Sequence, residues 1–189
     1  MRTLPGGTVL ILCTGNVCRS PLMERHLRHA LAGTDVRVSS AGTGALAGNA
    51  IDVGSVRLLD AAGVDSADFT ARQVTRELLD EADLVIAASR EHIGQAAQLA
   101  PSVLRKGFAW LDLGDLLDGV STGDIASWPA GTRAAQVAAE AMARRAEVSP
   151  RTDEEATVVD PFRQDQRVFS SMEQQVLRAL PVIVGALRG

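Results

Sequence analysis

The residues best suited to chemistry stand together in the segment CTGNVCRSP, residues 13–21. An apolar run over residues 8–12 precedes it and predicts a buried strand, and a helical pattern begins at Pro21. Cys13 therefore ends a strand, and Arg19 lies where a helix begins. Backbone N–H groups of such a loop point at an anion, and an arginine can bind two phosphate oxygens at once. The segment predicts a phosphate-binding loop in which Cys13 faces phosphorus as a thiolate nucleophile.

Each position in this loop has a physical reason for its residue type. Gly15 permits a conformation that a Cβ would obstruct, and Asn16 tolerates left-handed geometry and can brace the loop. We expect Ser20 to cap the helix and to donate its hydroxyl to the thiolate, with Pro21 as the first helical residue. The predicted phosphate-binding residues are Thr14, Gly15, Asn16, Val17, Cys18 and Arg19.

The second cysteine, Cys18, has two open interpretations. Two cysteines five apart in one loop do not make a structural disulfide framework. Cys18 either forms a reversible disulfide with Cys13 under oxidation, or is a small loop residue that contributes a backbone N–H.

Length, charge and composition argue against several classes of protein. The 189 residues are typical of one domain. A net charge of −4 without a long basic run argues against binding to nucleic acid or an anionic membrane surface. The apolar runs are too short to span a bilayer, and a cleaved signal peptide would remove the loop, so we expect a cytoplasmic protein. The three histidines lack carboxylates at metal-ligand spacing, so no metal site is expected.

Strand and helix patterns alternate along the chain, which predicts a parallel sheet wrapped by helices. The predicted strands are 8–13, 36–40, 84–88 and 108–111, and the predicted helices are 21–32, 54–62, 75–81, 89–100 and 164–187. Residues 114–157 form a predicted insertion, with a loop over 114–131, an alanine-rich helix over 132–146 and a mobile polar linker over 149–157. The insertion helix is a packing element on the outside of the fold, a substrate lid or a dimer contact.

The loop resembles the phosphate-binding loop of the low-molecular-weight protein-tyrosine phosphatases, particularly bacterial members. Further segments are similar to other blocks of that family: SSAGTGALAG at 39–48, ARQ at 71–73 with DEADLV at 80–85, and DPF at 160–162. The resemblance implies one flavodoxin-like α/β domain over residues 1–189. Its four-stranded parallel sheet has the order 2-1-3-4, with helices on both faces and the site at the carboxyl end of strand one.

The resemblance also implies a mechanism without metal or cofactor. Cys13 attacks phosphorus to form a cysteinyl phosphate, and Asp160 protonates the leaving oxygen and later deprotonates the hydrolytic water. Arg19 and the loop amides stabilise the transferred group. Ser20 and Ser40 support the loop, and Leu46 and Phe162 line the substrate cleft. The implied substrate is a phosphoprotein, with a bacterial tyrosine kinase or its targets as candidates, and the product is inorganic phosphate.

The chain departs from the family in ways that keep alternatives open. Phe69 stands where the family usually has a histidine that braces the loop, the chain has no tyrosine, and Leu46 replaces the tryptophan of many eukaryotic relatives. Protein-arginine phosphatases resemble this chain but carry threonine where it has Val17, which favours phosphotyrosine. An arsenate reductase typically needs a third cysteine, which is absent. A non-catalytic phosphate-binding protein is the remaining alternative.

Overall fold

The central sheet carries the predicted loop at the end of its first strand. The computed structural model describes residues 5–121 and 131–188. Its four parallel strands are β1 (Gly7–Cys13), β2 (Val36–Gly42), β3 (Leu84–Ala87) and β4 (Gly107–Ala109). The order is β2-β1-β3-β4, which confirms the expected topology. Strand β1 lies between β2 and β3, so Cys13 emerges at the middle of the sheet.

Helices cover both faces of the sheet, as expected. The α-helices of the described residues are α1 (Arg19–Ala30), α2 (Val53–Ala61), α3 (Arg76–Glu81), α4 (Arg90–Leu99), α5 (Trp110–Leu117), α6 (Arg133–Ala143) and α7 (Gln166–Arg188). Successive residues of β1 point to opposite faces. Val9 and Ile11 therefore pack with α1, α2, α5, α6 and α7, whereas Leu10 and Leu12 pack with α3 and α4. None of the described helices is long and apolar enough to cross a membrane.

The fourth strand is shorter than predicted because helix α5 begins inside the apolar run. Strand β4 ends at Ala109, and Trp110 is already helical. Trp110 is fully buried, and its indole N–H donates to the Val176 carbonyl at 3.1 Å. Residues 114–117 are also helical, so the prediction of a loop over 114–131 was wrong at its start. A Cβ on Gly114 would lie 2.8 Å from the Cβ of Ala179, so this glycine permits close packing of α5 on α7.

The insertion helix packs against the sheet. Helix α6 begins at Arg133 after Thr132, whose hydroxyl accepts from the Ala135 N–H at 3.2 Å, a helix cap. Its apolar face is buried over Ala134, Val137, Ala138 and Ala141, in the same core as β1. These contacts favour the packing role for α6. Residues 122–130 of the predicted loop lie outside the described residues.

Ion pairs hold the segment expected to be a mobile linker. Arg151 donates to both carboxylate oxygens of Asp115, at 2.6 and 2.8 Å. Arg90 binds Asp112 in the same two-pronged way and also reaches Asp153 at 2.9 Å. These contacts connect residues 151–153 to helices α4 and α5 and argue against a mobile linker at these positions. The polarity of residues 149–157 is visible in the sequence, but the pairing of Asp153 with Arg90 and of Arg151 with Asp115 is not.

Candidate active site

The loop after β1 holds Cys13 within a buried hydrogen-bond network. Cys13 is buried, and its Sγ lies 3.0 Å from the Ser20 hydroxyl. Asn16 is fully buried and has a positive φ of 55°, as its residue type predicted. The Arg72 N–H donates to Asn16 Oδ1 at 2.9 Å, which fixes the orientation of this amide. Asn16 Nδ2 therefore donates to Ser20 and to Ser40, each at 2.9 Å.

These bonds determine where the Ser20 proton goes. The Ser20 oxygen accepts from Asn16, so its own proton is available to the Cys13 sulfur, as expected. The prediction that Ser20 caps the helix was wrong. Helix α1 already begins at Arg19, Cys18 occupies the N-cap position without a side-chain bond, and Pro21 is the third helical residue. The Ser20 hydroxyl is committed to the loop and the sulfur instead.

Glu24 anchors this network at its far end. The Ser40 hydroxyl donates to Glu24 Oε2 at 2.6 Å, and Glu24 is buried on α1. Arg28 also contacts this carboxylate, at 3.2 Å. Phe69, which stands in the histidine position, packs with the Arg25 guanidinium 5.7 Å from its ring centroid. The sequence analysis missed Glu24, because it is one of several charged residues in α1 and only its burial distinguishes it.

Arg19 and Asp160 meet beside the loop. Arg19 is buried, and its Nη2 lies 2.6 Å from Asp160 Oδ2 and 3.3 Å from the Thr14 hydroxyl. The Asp160 side chain is half exposed, at 50%. Its Oδ1 accepts from the Phe162 N–H at 3.1 Å. Upstream, the Val158 N–H donates to the Ala88 carbonyl at 2.8 Å, which ties this segment to the end of β3. The fold thus brings Asp160 to Arg19 across 141 positions of sequence.

Most predicted site residues line one cavity of about 170 Å³ above Cys13. Its lining residues are Cys13, Thr14, Gly15, Val17, Cys18, Arg19, Gly44, Leu46, Asp160 and Phe162. The predicted cleft residues Leu46 and Phe162 are partly exposed at its mouth. Asn16, Ser20 and Ser40 are absent from this lining and brace the loop from behind. Gly44 is a lining residue that the sequence analysis did not single out.

The second loop cysteine is held as a thiol. Cys18 is buried, and both cysteines are free in the structure. Burial, followed by the negative charge of Asp52, raises the pKa of Cys18 to about 12. The Cys18 carbonyl accepts from the Ser55 hydroxyl at 3.3 Å, which connects the loop to α2. At neutral pH the Cys18 thiolate is therefore scarce.

His92 is a further residue of the site that the sequence analysis considered only as a metal ligand. Its Nε2 lies 2.9 Å from the Thr14 hydroxyl. Burial, and then the charge of Arg19, lower the pKa of His92 to about 4, so the ring is neutral at pH 7. The available signal was topological, because His92 follows β3, and adjacent parallel strands end at the same edge of a sheet. Among the described residues, no group of acidic, histidine and cysteine side chains is arranged to hold a metal.

Three comparisons relate this chain to known proteins. A family model for low molecular weight phosphotyrosine protein phosphatase matches residues 8–112. A putative low molecular weight protein-tyrosine-phosphatase of Klebsiella pneumoniae is 37% identical over 114 residues, which cover 59% of this chain and 78% of that protein.

Solved structures share the fold at lower identity. The tyrosine phosphatase AmsI of Erwinia amylovora superposes with a TM-score of 0.70 at 22% identity and covers 95% of this chain and 92% of that one. The YwlE arginine phosphatase of Geobacillus stearothermophilus gives 0.67 at 21% identity, with 94% and 90% covered. Structures with this fold are thus named both as a tyrosine phosphatase and as an arginine phosphatase, so the fold alone does not decide between the two substrates. Because the family model spans more than half of the sequence, this chain belongs to the low molecular weight phosphotyrosine protein phosphatase family.

Proposed function

We propose that this protein is a phosphatase that hydrolyses phosphotyrosine in proteins through a cysteinyl-phosphate intermediate. The observation that carries the proposal is the convergence of Cys13, Arg19 and Asp160 on one small cavity. These residues supply a sulfur nucleophile, a fixed cation and a carboxyl group, which are the groups that phosphoryl transfer needs. Family membership supports the same reaction.

The first half-reaction forms the sulfur–phosphorus bond. The Cys13 thiolate attacks phosphorus while the bond to the leaving oxygen breaks, and Asp160 delivers a proton to that oxygen. Arg19 and the loop amides stabilise the charge on the remaining phosphoryl oxygens. The proton of Ser20 stabilises the thiolate before attack and when it is released again.

The second half-reaction releases phosphate. The Asp160 carboxylate takes a proton from water, whose oxygen attacks phosphorus as the sulfur–phosphorus bond breaks. The products are inorganic phosphate, the Cys13 thiolate and a protonated Asp160, which is ready for the next substrate. The structure has Asp160 in contact with Arg19, so in this scheme the carboxyl turns from Arg19 to the leaving oxygen and then to the water. The half-exposed side chain of Asp160 has the freedom to do so.

The cavity lining favours an aromatic substrate. The apolar residue Val17 is part of the cavity lining, and Leu46 and Phe162 are exposed lining residues. Apolar contacts of this kind suit a phenyl ring better than a guanidinium group. Phosphoproteins are the proposed physiological substrates, with a bacterial tyrosine kinase or its targets as candidates. A protein-arginine phosphatase is the second candidate, because the fold is shared with YwlE.

A direct comparison of substrates tests the proposal. The protein should hydrolyse a phosphotyrosyl peptide with a higher kcat/KM than a phosphoarginyl peptide of the same sequence. Val17→Thr should move that ratio towards phosphoarginine, whereas Val53→Thr, on an exposed position of α2, is the matched control. Faster hydrolysis of phosphoarginine by the parent protein would favour the second candidate. Acid-quenched protein should carry phosphorus on Cys13, and turnover without such a species would contradict the covalent mechanism.

A further inference from the structure

His92 is a buried histidine that the proposed chemistry leaves without a role. It lies in the first turn of α4 and is 4% exposed. Its Nε2 is 2.9 Å from Thr14 Oγ1, and its Nδ1 is 2.6 Å from Ser89 Oγ. Both ring nitrogens are therefore hydrogen-bonded, one of them to the phosphate-binding loop.

The partners of His92 determine its tautomer. A neutral imidazole has one donor and one acceptor nitrogen. Within the described residues, the buried Ser89 hydroxyl has His92 Nδ1 as its hydrogen-bond partner. A buried hydroxyl proton without an acceptor is unfavourable, so Ser89 donates to Nδ1. His92 then carries its proton on Nε2 and donates it to Thr14 Oγ1.

Thr14 connects this histidine to Arg19. Arg19 Nη2 contacts two side-chain acceptors, Thr14 Oγ1 at 3.3 Å and Asp160 Oδ2 at 2.6 Å. In the proposed reaction Asp160 turns from Arg19 to the leaving oxygen. Thr14 is then the side-chain acceptor that stays beside the guanidinium, and His92 fixes the position of its oxygen. Because this oxygen accepts from both neighbours, its own proton is available to an oxygen in the cavity that Thr14 lines.

We propose that His92 is a positioning residue which, through the Thr14 hydroxyl, holds Arg19 in the orientation that binds the phosphoryl group. The inference rests on the proposed function for the identity of the bound group. It assigns His92 no contact with substrate and no proton transfer. It also gives Thr14 a side-chain role beyond the loop position predicted from sequence.

The test combines two substitutions with a measurement of phosphate binding. His92→Phe removes both imidazole hydrogen bonds, and Thr14→Val removes the hydroxyl with little change in volume. Each should lower kcat/KM on a phosphotyrosyl peptide about 5- to 30-fold. In a Cys13→Ser background, each should weaken binding of inorganic phosphate, measured by calorimetry, by a similar factor. The double variant should lose no more than the larger single loss, because the two residues act through one chain of bonds.

Controls separate positioning from general stability. His26→Phe removes another buried histidine, which lies on α1 with its Nε2 3.5 Å from Glu173, and should leave phosphate affinity unchanged. His92→Gln, whose amide can donate to Thr14, should recover part of the affinity. If His92→Phe does not fold, His92→Gln and Thr14→Val make the same comparison.

The possible outcomes distinguish this inference from the proposed function. Unchanged phosphate affinity in His92→Phe, or losses that multiply in the double variant, would overturn the role of His92. The phosphate measurement does not depend on which phosphoryl compound is hydrolysed. If it responds as expected while the parent protein ignores phosphotyrosine, the role of His92 stands and the proposed substrate is wrong.

Discussion

Replacing Asp160 with asparagine separates two consequences of its position. The carboxylate lies 2.6 Å from Arg19 and is half exposed. Asparagine keeps the size of the side chain and the oxygen that accepts from the Phe162 N–H, but removes the transferable proton and the negative charge. We therefore expect Asp160→Asn to slow the chemistry while it strengthens phosphate binding, because Arg19 loses its anionic partner.

The two effects differ in size. General acid catalysis contributes about 10²- to 10⁴-fold, so cleavage of a phenyl phosphate, whose leaving phenol has a pKa of about 10, should slow by that factor. An activated aryl phosphate needs little protonation, so its first step should slow far less. A partly exposed ion pair is worth about 0.2–1 kcal/mol, so phosphate affinity should rise by about 1.5- to 5-fold.

Single-turnover burst kinetics on both substrates give the rate of the first step. Phosphate inhibition, measured alongside, gives the affinity for phosphate. Burst kinetics report formation of the intermediate, so slow breakdown cannot hide the result. Asp153→Asn is the matched control, since it removes an exposed carboxylate from the same segment and should leave the leaving-group dependence unchanged. Equal burst rates for Asp160→Asn and the parent on phenyl phosphate would assign the acid to another residue, such as Asp153, Glu154 or Asp165. Weaker phosphate binding by the variant would refute the competition between Asp160 and phosphate for Arg19.

Three further predictions follow from the same site. Cys13→Ser should abolish turnover and retain phosphate binding measured by calorimetry, and hydrolysis near the parent rate would exclude the covalent route. If Cys18 condenses with oxidised Cys13, peroxide should inactivate the protein and a dithiol should restore its activity, although the high pKa of Cys18 makes the condensation slow. Mass spectrometry should then show a loss of two protons in the loop peptide. Finding only sulfinic or sulfonic acid on Cys13 would contradict this role of Cys18. Below pH 6.5 the unfolded chain protonates His92 whereas the native ring stays neutral until about pH 4, so the free energy of unfolding should fall across that interval, by about 2 kcal/mol at pH 5. Urea unfolding of parent and His92→Gln at pH 7 and 5 measures this loss, and an equal pH dependence in both would refute it.

The features that could be predicted best from sequence are those that depend on residues close together along the chain. The order of strand, loop and helix around Cys13 follows from an apolar run, a glycine and an arginine within a few positions. The left-handed conformation of Asn16 follows from its residue type. The position of Asp160 beside Arg19 came from the resemblance of the DPF segment, because nothing local to residue 160 indicates its distant partner.

The features that sequence missed depend on tertiary contacts. Glu24 resembles an ordinary charged position of α1 until the fold buries it against Ser40. Trp110 fits a strand or a helix equally well, because a short apolar run does not distinguish them, and its contact with Val176 is more than sixty positions away. Gly114 was interpreted as a loop glycine, yet its role is the close approach of two helices. In each case the partner that decides the role of the residue is distant in sequence.

Two sets of hydrogen bonds hold the residues of the phosphate-binding loop in place. On one side, Cys13 is connected through Ser20, Asn16 and Ser40 to the buried carboxylate of Glu24. On the other, Arg19 is connected through Thr14 to His92. The first set orients the nucleophile and the second orients the cation, and they belong to elements on opposite faces of the sheet, α1 and α4. Asp160 belongs to neither set: its half-exposed carboxylate contacts Arg19 and accepts from the Phe162 N–H. This division fits the proposed chemistry. Cys13 and Arg19 keep their positions through both half-reactions, whereas Asp160 turns from the leaving oxygen in the first to the water in the second.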